Sequence, residues 1–155
     1  MNQIEFKKLV NIAAAANNPP PLSIFSGGVE DWRSRCRLAQ FLSLPTVPGH
    51  IEEAIELFKS IESASVNEED SEEVEEKVAG LQRLAELLRD KKDYKAALHF
   101  INRAIELAEG TDFLYKFILR GELWADRWNL LTDIGQEEEA EAEVNRFGAS
   151  GFMQV

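Results

Sequence analysis

The chain has 155 residues, enough for one domain, and its 45% hydrophobic and 29% charged content is ordinary for a globular protein, which excludes global disorder. Acidic residues outnumber basic ones by 28 to 17, and the resulting net charge of −11 repels phosphate backbones, so we expect no nucleic-acid partner. A single cysteine, a start without a signal-peptide pattern and the lack of an apolar run of about 20 residues predict a cytoplasmic protein without a membrane span.

Residues 1–28 are predicted to form an N-terminal helix and a Pro/Gly linker. Phe6, Leu9, Val10 and Ala13 lie on one face of a helix over 2–16, and the three prolines at 19–21 must stop it. The segment is a candidate cap for the domain that follows.

Residues 29–66 read as a first pair of helices. The first helix begins at the acidic pair Glu30 and Asp31 and ends before Pro45 and Pro48. The second runs from about Gly49 to Ser63 with apolar residues at helical spacing.

Residues 67–110 form the second predicted pair. Its first helix is expected to begin at a capping box, Ser65 to Glu68, and to run to Asp90. Asp93 then caps a second helix that ends at Gly110. The acidic run 68–76 favours a solvated first turn, with a binding role as the alternative.

Residues 111–147 form the third predicted pair. A long helix begins at Thr111 or Asp112 and ends at Gly135, and a last helix runs from Gln136 to Phe147. The tail 148–155 has no periodicity. The long helix carries an apolar stripe that we expect to face the core, with a partner-binding or self-association surface as the alternative. The stripe comprises Phe113, Phe117, Ile118, Gly121, Trp124, Ala125, Trp128 and Leu131, with Tyr115 beside it.

An internal repeat links the three pairs. Ala54, Ala97 and Ala140 recur at an equal spacing of 43 residues, each in its pair's second helix. Leu81, Leu84, Ala85 and Leu88, followed by Ala97, Ile101 and Ala104, occupy the seven signature positions of a tetratricopeptide repeat.

Over roughly residues 29–147 the chain therefore resembles the tetratricopeptide repeat family, in a long-helix variant such as those of kinesin light chain. The resemblance implies an all-α solenoid of three antiparallel helix pairs in a right-handed superhelix, with an additional N-terminal helix. Another helical repeat, such as a HEAT-like one, remains the alternative, since it also has a period in the low forties.

The resemblance also implies a concave groove, lined by the first helices, that binds a peptide or protein segment. Three arginines within five residues add a basic patch that could hold a carboxylate, or could simply pair with surface glutamates. The positions implied in partner binding are Arg33, Arg35, Arg37, Gln82, Glu86, Arg89 and Asn129.

Catalytic chemistry finds little support in the sequence. His50 and His99 lack ligands at metal-binding spacing, Cys36 lies on an apolar helix face, and the glycine pair at 27–28 does not continue into a phosphate-binding loop. We expect no catalytic residues, no cofactor and no metal.

Three functions remain open from the sequence. The first is a noncatalytic adaptor or scaffold that binds protein in the groove. The second is a self-associating assembly protein, a homodimer that pairs through Trp128 and Phe152. The third is an enzyme or small-molecule sensor with a site between the leader and the first pair.

Overall fold

The computed structural model describes residues 1–111 and 116–149; in the second range the side chains of 116–120, 140, 143, 144 and 146–149 are not described. These residues contain helices and no strand, which confirms the all-α class. The helices are α1 (Gln3–Ala14), α2 (Trp32–Leu42), α3 (Ile51–Lys59), α4 (Ser71–Asp90), α5 (Tyr94–Gly110) and α6 (Lys116–Ala149), with a 3-10 turn at Leu22–Phe25.

Helix α1 packs on α2, as the apolar face of the leader predicts. The Asn2 side chain caps the helix by accepting a hydrogen bond from the Glu5 amide at 2.9 Å. Phe6, Leu9 and Ala13 are buried, and the helix ends well before the prolines.

Helices α2 and α3 form the first pair and are both shorter than predicted. Asp31 caps α2 through the Ser34 amide, and the helix ends at Leu42, two residues before the predicted end. Leu38 and Phe58 are fully buried in the core of this pair.

Helices α4 and α5 form the second pair. The expected capping box at Ser65 to Glu68 is wrong: the cap is Asp70, whose carboxylate accepts from the Glu72 and Glu73 amides. The apolar spacing of α4 begins only at Val74, so a helix begun at Ser65 would bury nothing in its first turns.

The turn between α4 and α5 confirms Asp93 as the cap of α5. Lys92 adopts a left-handed conformation with φ of 63°, and the Asp93 amide donates to the Leu88 carbonyl at 2.9 Å, which closes α4. The Asp93 carboxylate then accepts from the Ala96 amide. A connection this short makes the two helices antiparallel neighbours.

Gly80 is where α4 approaches the first pair most closely. A Cβ at this position would lie 2.8 Å from Cys36 Sγ and 2.8 Å from Ile61 Cδ1. Both of these residues are buried, so the two pairs can pack in this way only because residue 80 has no side chain.

Lys77 is a buried cation that holds the connection between the pairs. Its Nζ donates to the carbonyl oxygens of Glu62 and Ala64 at 2.8 and 2.7 Å. Burial lowers the pKa of Lys77 below its ordinary value. The two carbonyls satisfy the charge where water is largely excluded.

Helix α6 departs from the predicted third pair. It is one helix of 34 residues, so the predicted end at Gly135 and the separate helix 136–147 are wrong. A glycine inside a helix costs only about 1 kcal/mol relative to alanine, and the residues after it, Gln136 to Glu139, are strong helix formers. The predicted start at Asp112 lies outside the described residues.

Candidate interaction surface

Helices α4 and α6 are linked by polar contacts between residues that lie 44 positions apart. Gln82 on α4 donates to the Asp126 carboxylate on α6 at 3.2 Å, 44 residues later. Arg89 donates to Asp133 at 2.6 Å, again 44 residues later. The structure therefore places Gln82 and Arg89, which were predicted to line a groove, against α6.

Two of the three predicted patch arginines converge on one carboxylate. Arg33 donates from Nε and Nη2 to Glu76 Oε2 at 3.0 and 2.8 Å, and Arg37 donates from Nε to Oε1 at 2.9 Å. The hydrogen bond to Glu76 is the main cause that raises the pKa of Arg33. Only 20% of the Glu76 side chain is exposed, so this cluster ties α2 to α4.

Arg35 and Glu86 are also engaged within the molecule. Arg35 donates to the Ser60 hydroxyl at 2.9 Å and to the Val29 carbonyl at 2.7 Å. Glu86 pairs with Arg83 at 2.9 Å. The predicted alternative, pairing with a glutamate, is thus observed for Arg33 and Arg37 but not for Arg35, while partner binding by these residues stays a prediction.

The outer face of α6 carries large apolar side chains in solvent. Trp128 is 72% exposed, Trp124 is 45% exposed and Leu131 is 39% exposed. Their spacing of four and three residues puts them on one side of the helix. We call these three residues the aromatic face.

The prediction that this stripe faces the core is wrong for its described members. Among the described side chains of α6, Leu123 and Leu130 are the buried ones, and they lie on a different side of the helix from the aromatic face. Both sets have helical spacing, and the packing of α6 along α5 selects the leucines. Ala125 is exposed as well.

Trp124 marks the border between the aromatic face and α5. Its Nε1 donates to Glu109 at 3.3 Å, and the Arg127 guanidinium lies 5.3 Å from the ring centroid. Arg127 in turn donates to Asn102 on α5. Trp124 is therefore held in place, and Trp128 beside it is the most exposed large apolar side chain described.

The remaining residues that were predicted to bind a partner or to lie on the apolar stripe are either exposed or not described. Asn129 is exposed on α6. Phe152 lies outside the described residues, as do Phe113 and Tyr115 and the side chains of Phe117, Ile118, Ala140, Val144 and Phe147.

An enzyme or small-molecule sensor would need a site between the leader and the first pair. A cleft of about 710 Å³ lies there, between the end of α1 and the α2–α3 connection. Ile12, Phe41, Leu44 and Val47 give it an apolar lining. His50 is the one histidine among the residues that line it. The cleft thus offers apolar surface rather than a cluster of chemically active groups.

The Cys36 thiol is buried, as its place on an apolar face predicts. Burial first, and then the negative charge of Glu76, raises the pKa of Cys36 to about 12 from an ordinary value of 9.0. A thiol that keeps its proton is a poor nucleophile and a poor metal ligand.

This shift predicts a loss of stability in alkali. Between pH 9 and 12 the unfolded thiol gives up its proton while the folded thiol keeps it, so the free energy of unfolding falls as pH rises. We expect Cys36 to contribute a slope approaching about 1 kcal/mol per pH unit, measured by urea denaturation from about pH 8 to about pH 10. The variant Cys36→Ala should lack this part of the slope; equal slopes in the two proteins would contradict the burial effect.

Among the described residues, no group of three or more His, Cys, Asp or Glu side chains is arranged to hold a metal ion. None of the described helices combines the length and the apolar character that crossing a membrane requires.

No protein-family model, curated protein or solved structure matches this chain. The likeness to the tetratricopeptide repeat therefore depends on the sequence pattern alone.

Proposed function

We propose that the chain is a noncatalytic helical-repeat module, of the tetratricopeptide type, that binds a helix of another protein chain against the aromatic face of α6. The observation that carries this proposal is the 72% exposure of Trp128 on a helix that buries Leu123 and Leu130 on another of its sides. Tryptophans are among the residues that contribute most to binding energy at protein interfaces.

The shape of the aromatic face favours a helical partner. Its members follow the spacing of four and three residues that one helix presents to another. The border contacts of Trp124 with Glu109 and Arg127 fix one edge of the surface before anything binds, which lowers the entropy lost on binding.

A photo-crosslinking residue at position 128 tests the proposal. We expect it to give crosslinked protein products in the cells that produce the chain, because a bound partner would cover this position. The same probe in place of Asn129, which is exposed about 100° around α6 from Trp128, is the matched control. For a partner so identified and purified, Trp128→Ser should raise Kd by about thirtyfold or more. Identical products from the two positions would reject the aromatic face as the binding surface.

A second candidate function is the binding of a peptide along the first helices. It is favoured by the half-exposed polar groups of both signs on α4, where Arg83, Glu86 and Arg89 follow one another at intervals of three residues. The variants Glu86→Lys and Asn129→Lys would weaken such binding, whereas Trp128→Ser would not. The arginines of α2 are poor test sites because Arg33 and Arg37 hold Glu76.

A further inference from the structure

The aromatic face is the first half of a longer stripe on α6. Intervals of three and four residues return to the same side of a helix, so the line continues beyond Leu131. Every member is exposed. We call this line the α6 stripe, and it consists of Trp124, Trp128, Leu131, Gly135, Glu138 and Ala142.

The second half of the stripe lies beyond the end of the helix pairs. At 1.5 Å per residue, the 34 residues of α6 span about 51 Å, against about 30 Å for the 20 residues of α4. Arg89, in the last turn of α4, contacts Asp133, so α6 continues past α4 from that level. The described side chains at 135–139, 141, 142 and 145 are all exposed.

The stripe is self-complementary about Gly135. Large apolar side chains precede this glycine, and small ones stand at Gly135 itself and at Ala142, with Glu138 between them. In an antiparallel helix pair with a twofold axis at Gly135, a residue seven positions before the glycine faces one seven positions after it. Trp128 of one helix then meets Ala142 of the other, and the glycines cross where no atom lies within 4 Å of a Cβ position.

We propose that two copies of this chain pair through their α6 helices, antiparallel and crossing at Gly135, with each Trp128 packed over the other copy's Ala142. The inference deepens the proposed function and rests on it, since it names the second copy's α6 as the helix that covers the aromatic face. The four tryptophans of two copies, at about 150–250 Å² for each full side chain, supply several hundred Å² toward the roughly 1,200 Å² of a small stable interface.

The effect of salt on binding distinguishes a second copy of this chain from a helix of another protein. Each copy carries a net charge of −11, and α6 itself carries Glu137, Glu138, Glu139 and Glu141 near the crossing point. Two such helices repel each other, so added salt should tighten the dimer by screening. A basic partner helix would instead be attracted by these carboxylates, and salt would weaken its binding.

Sedimentation velocity on the full chain, over a range of concentrations and at low and high salt, tests the pairing. We expect a reversible dimer that tightens with salt and that Trp128→Ala and Ala142→Trp each weaken about tenfold or more, the first by leaving a gap and the second by a clash. Asn129→Trp adds bulk at an exposed position that lies about 100° or more around α6 from every residue of the stripe, and it is the matched control.

A mixture of the two weakened variants tests the register. In a heterodimer, the enlarged side chain of one copy meets the truncated one of the other, and the second contact is the natural one. We therefore expect the mixture to dimerise more tightly than either variant alone. Because both positions are exposed in the single chain, circular dichroism should show each variant folded.

Three results would overturn the inference: a monomer at every concentration, a dimer that Ala142→Trp leaves intact, or a mixture no tighter than its components. A monomer whose position 128 still crosslinks to a different protein would overturn the pairing and leave the proposed function standing. A monomer with identical crosslinks from positions 128 and 129 would remove both.

Discussion

Replacing Gly80 with valine is expected to lower the free energy of unfolding by about 3 kcal/mol, the upper end of the usual cost of overpacking a core. The first added atom would already lie 2.8 Å from both Cys36 Sγ and Ile61 Cδ1. Valine adds two further carbons, and the buried neighbours can yield only by moving α4 away from the first pair. For a domain of this size, the loss corresponds to a fall in Tm of about 6–12 °C.

The matched control is Gly121→Ala on α6, where nothing lies within 4 Å of the added carbon. This variant should gain about 1 kcal/mol, because alanine is the better helix former and meets no obstacle. Thermal and urea denaturation of both proteins would show opposite shifts. A Gly80→Val protein as stable as the parent would mean that α4 does not approach the first pair as closely as described.

Removing the Glu76 carboxylate is expected to cause the second large loss in the free energy of unfolding. Glu76→Ala leaves Arg33 and Arg37 side by side without their shared acceptor, and hydrogen bonds to charged groups are worth about 1.5–3 kcal/mol. We expect a loss of about 2 kcal/mol in the free energy of unfolding, discounted for the 20% of the side chain that water still reaches.

Glu75→Ala provides the control, since it removes the same charge from the neighbouring position on α4 and should cost well under 1 kcal/mol. A double-mutant cycle with Arg33→Ala should give a coupling energy of about 1 kcal/mol between Arg33 and Glu76. Equal losses from Glu75→Ala and Glu76→Ala, or strict additivity in the cycle, would show that the cluster does not join α2 to α4.

Within the second pair, the sequence predicted the turn between the helices and the bounds of α5 well, because several local signals agree there, whereas it placed the start of α4 too early. Asp93 is both a cap and the end of a short turn, and the apolar spacing of α4 and α5 leaves one face for each helix. The repeat period held further information: Arg33 and Glu76 are 43 residues apart, as the same position in consecutive pairs would be. Opposite charges one period apart were a signal for this contact that the sequence reasoning did not use.

The third pair could not be predicted in the same way, because its signals compete. Gly135 resembles a helix terminator, yet neither proline nor asparagine follows it to form a turn, and four good helix formers do. On α6, Leu123 with Leu130 and Trp124 with Trp128 are two apolar lines at helical spacing. Only the packing against α5 decides between them, and spacing along one helix carries no information about a neighbour.

The buried Lys77 also determines where this chain can be lengthened. The connection from Ser60 to Asp70 looks uniform in sequence, but its first part is fixed at the carbonyls of Glu62 and Ala64. An insertion there would pull acceptors away from a buried ammonium group. Glu68 and Glu69 follow in the exposed part, where an insertion would interrupt the turn in which the Asp70 amide donates to the Asn67 carbonyl but would leave the contacts of Lys77 in place. A fluorescent reporter or an epitope is therefore best placed between these two glutamates, beyond the carbonyls that Lys77 contacts.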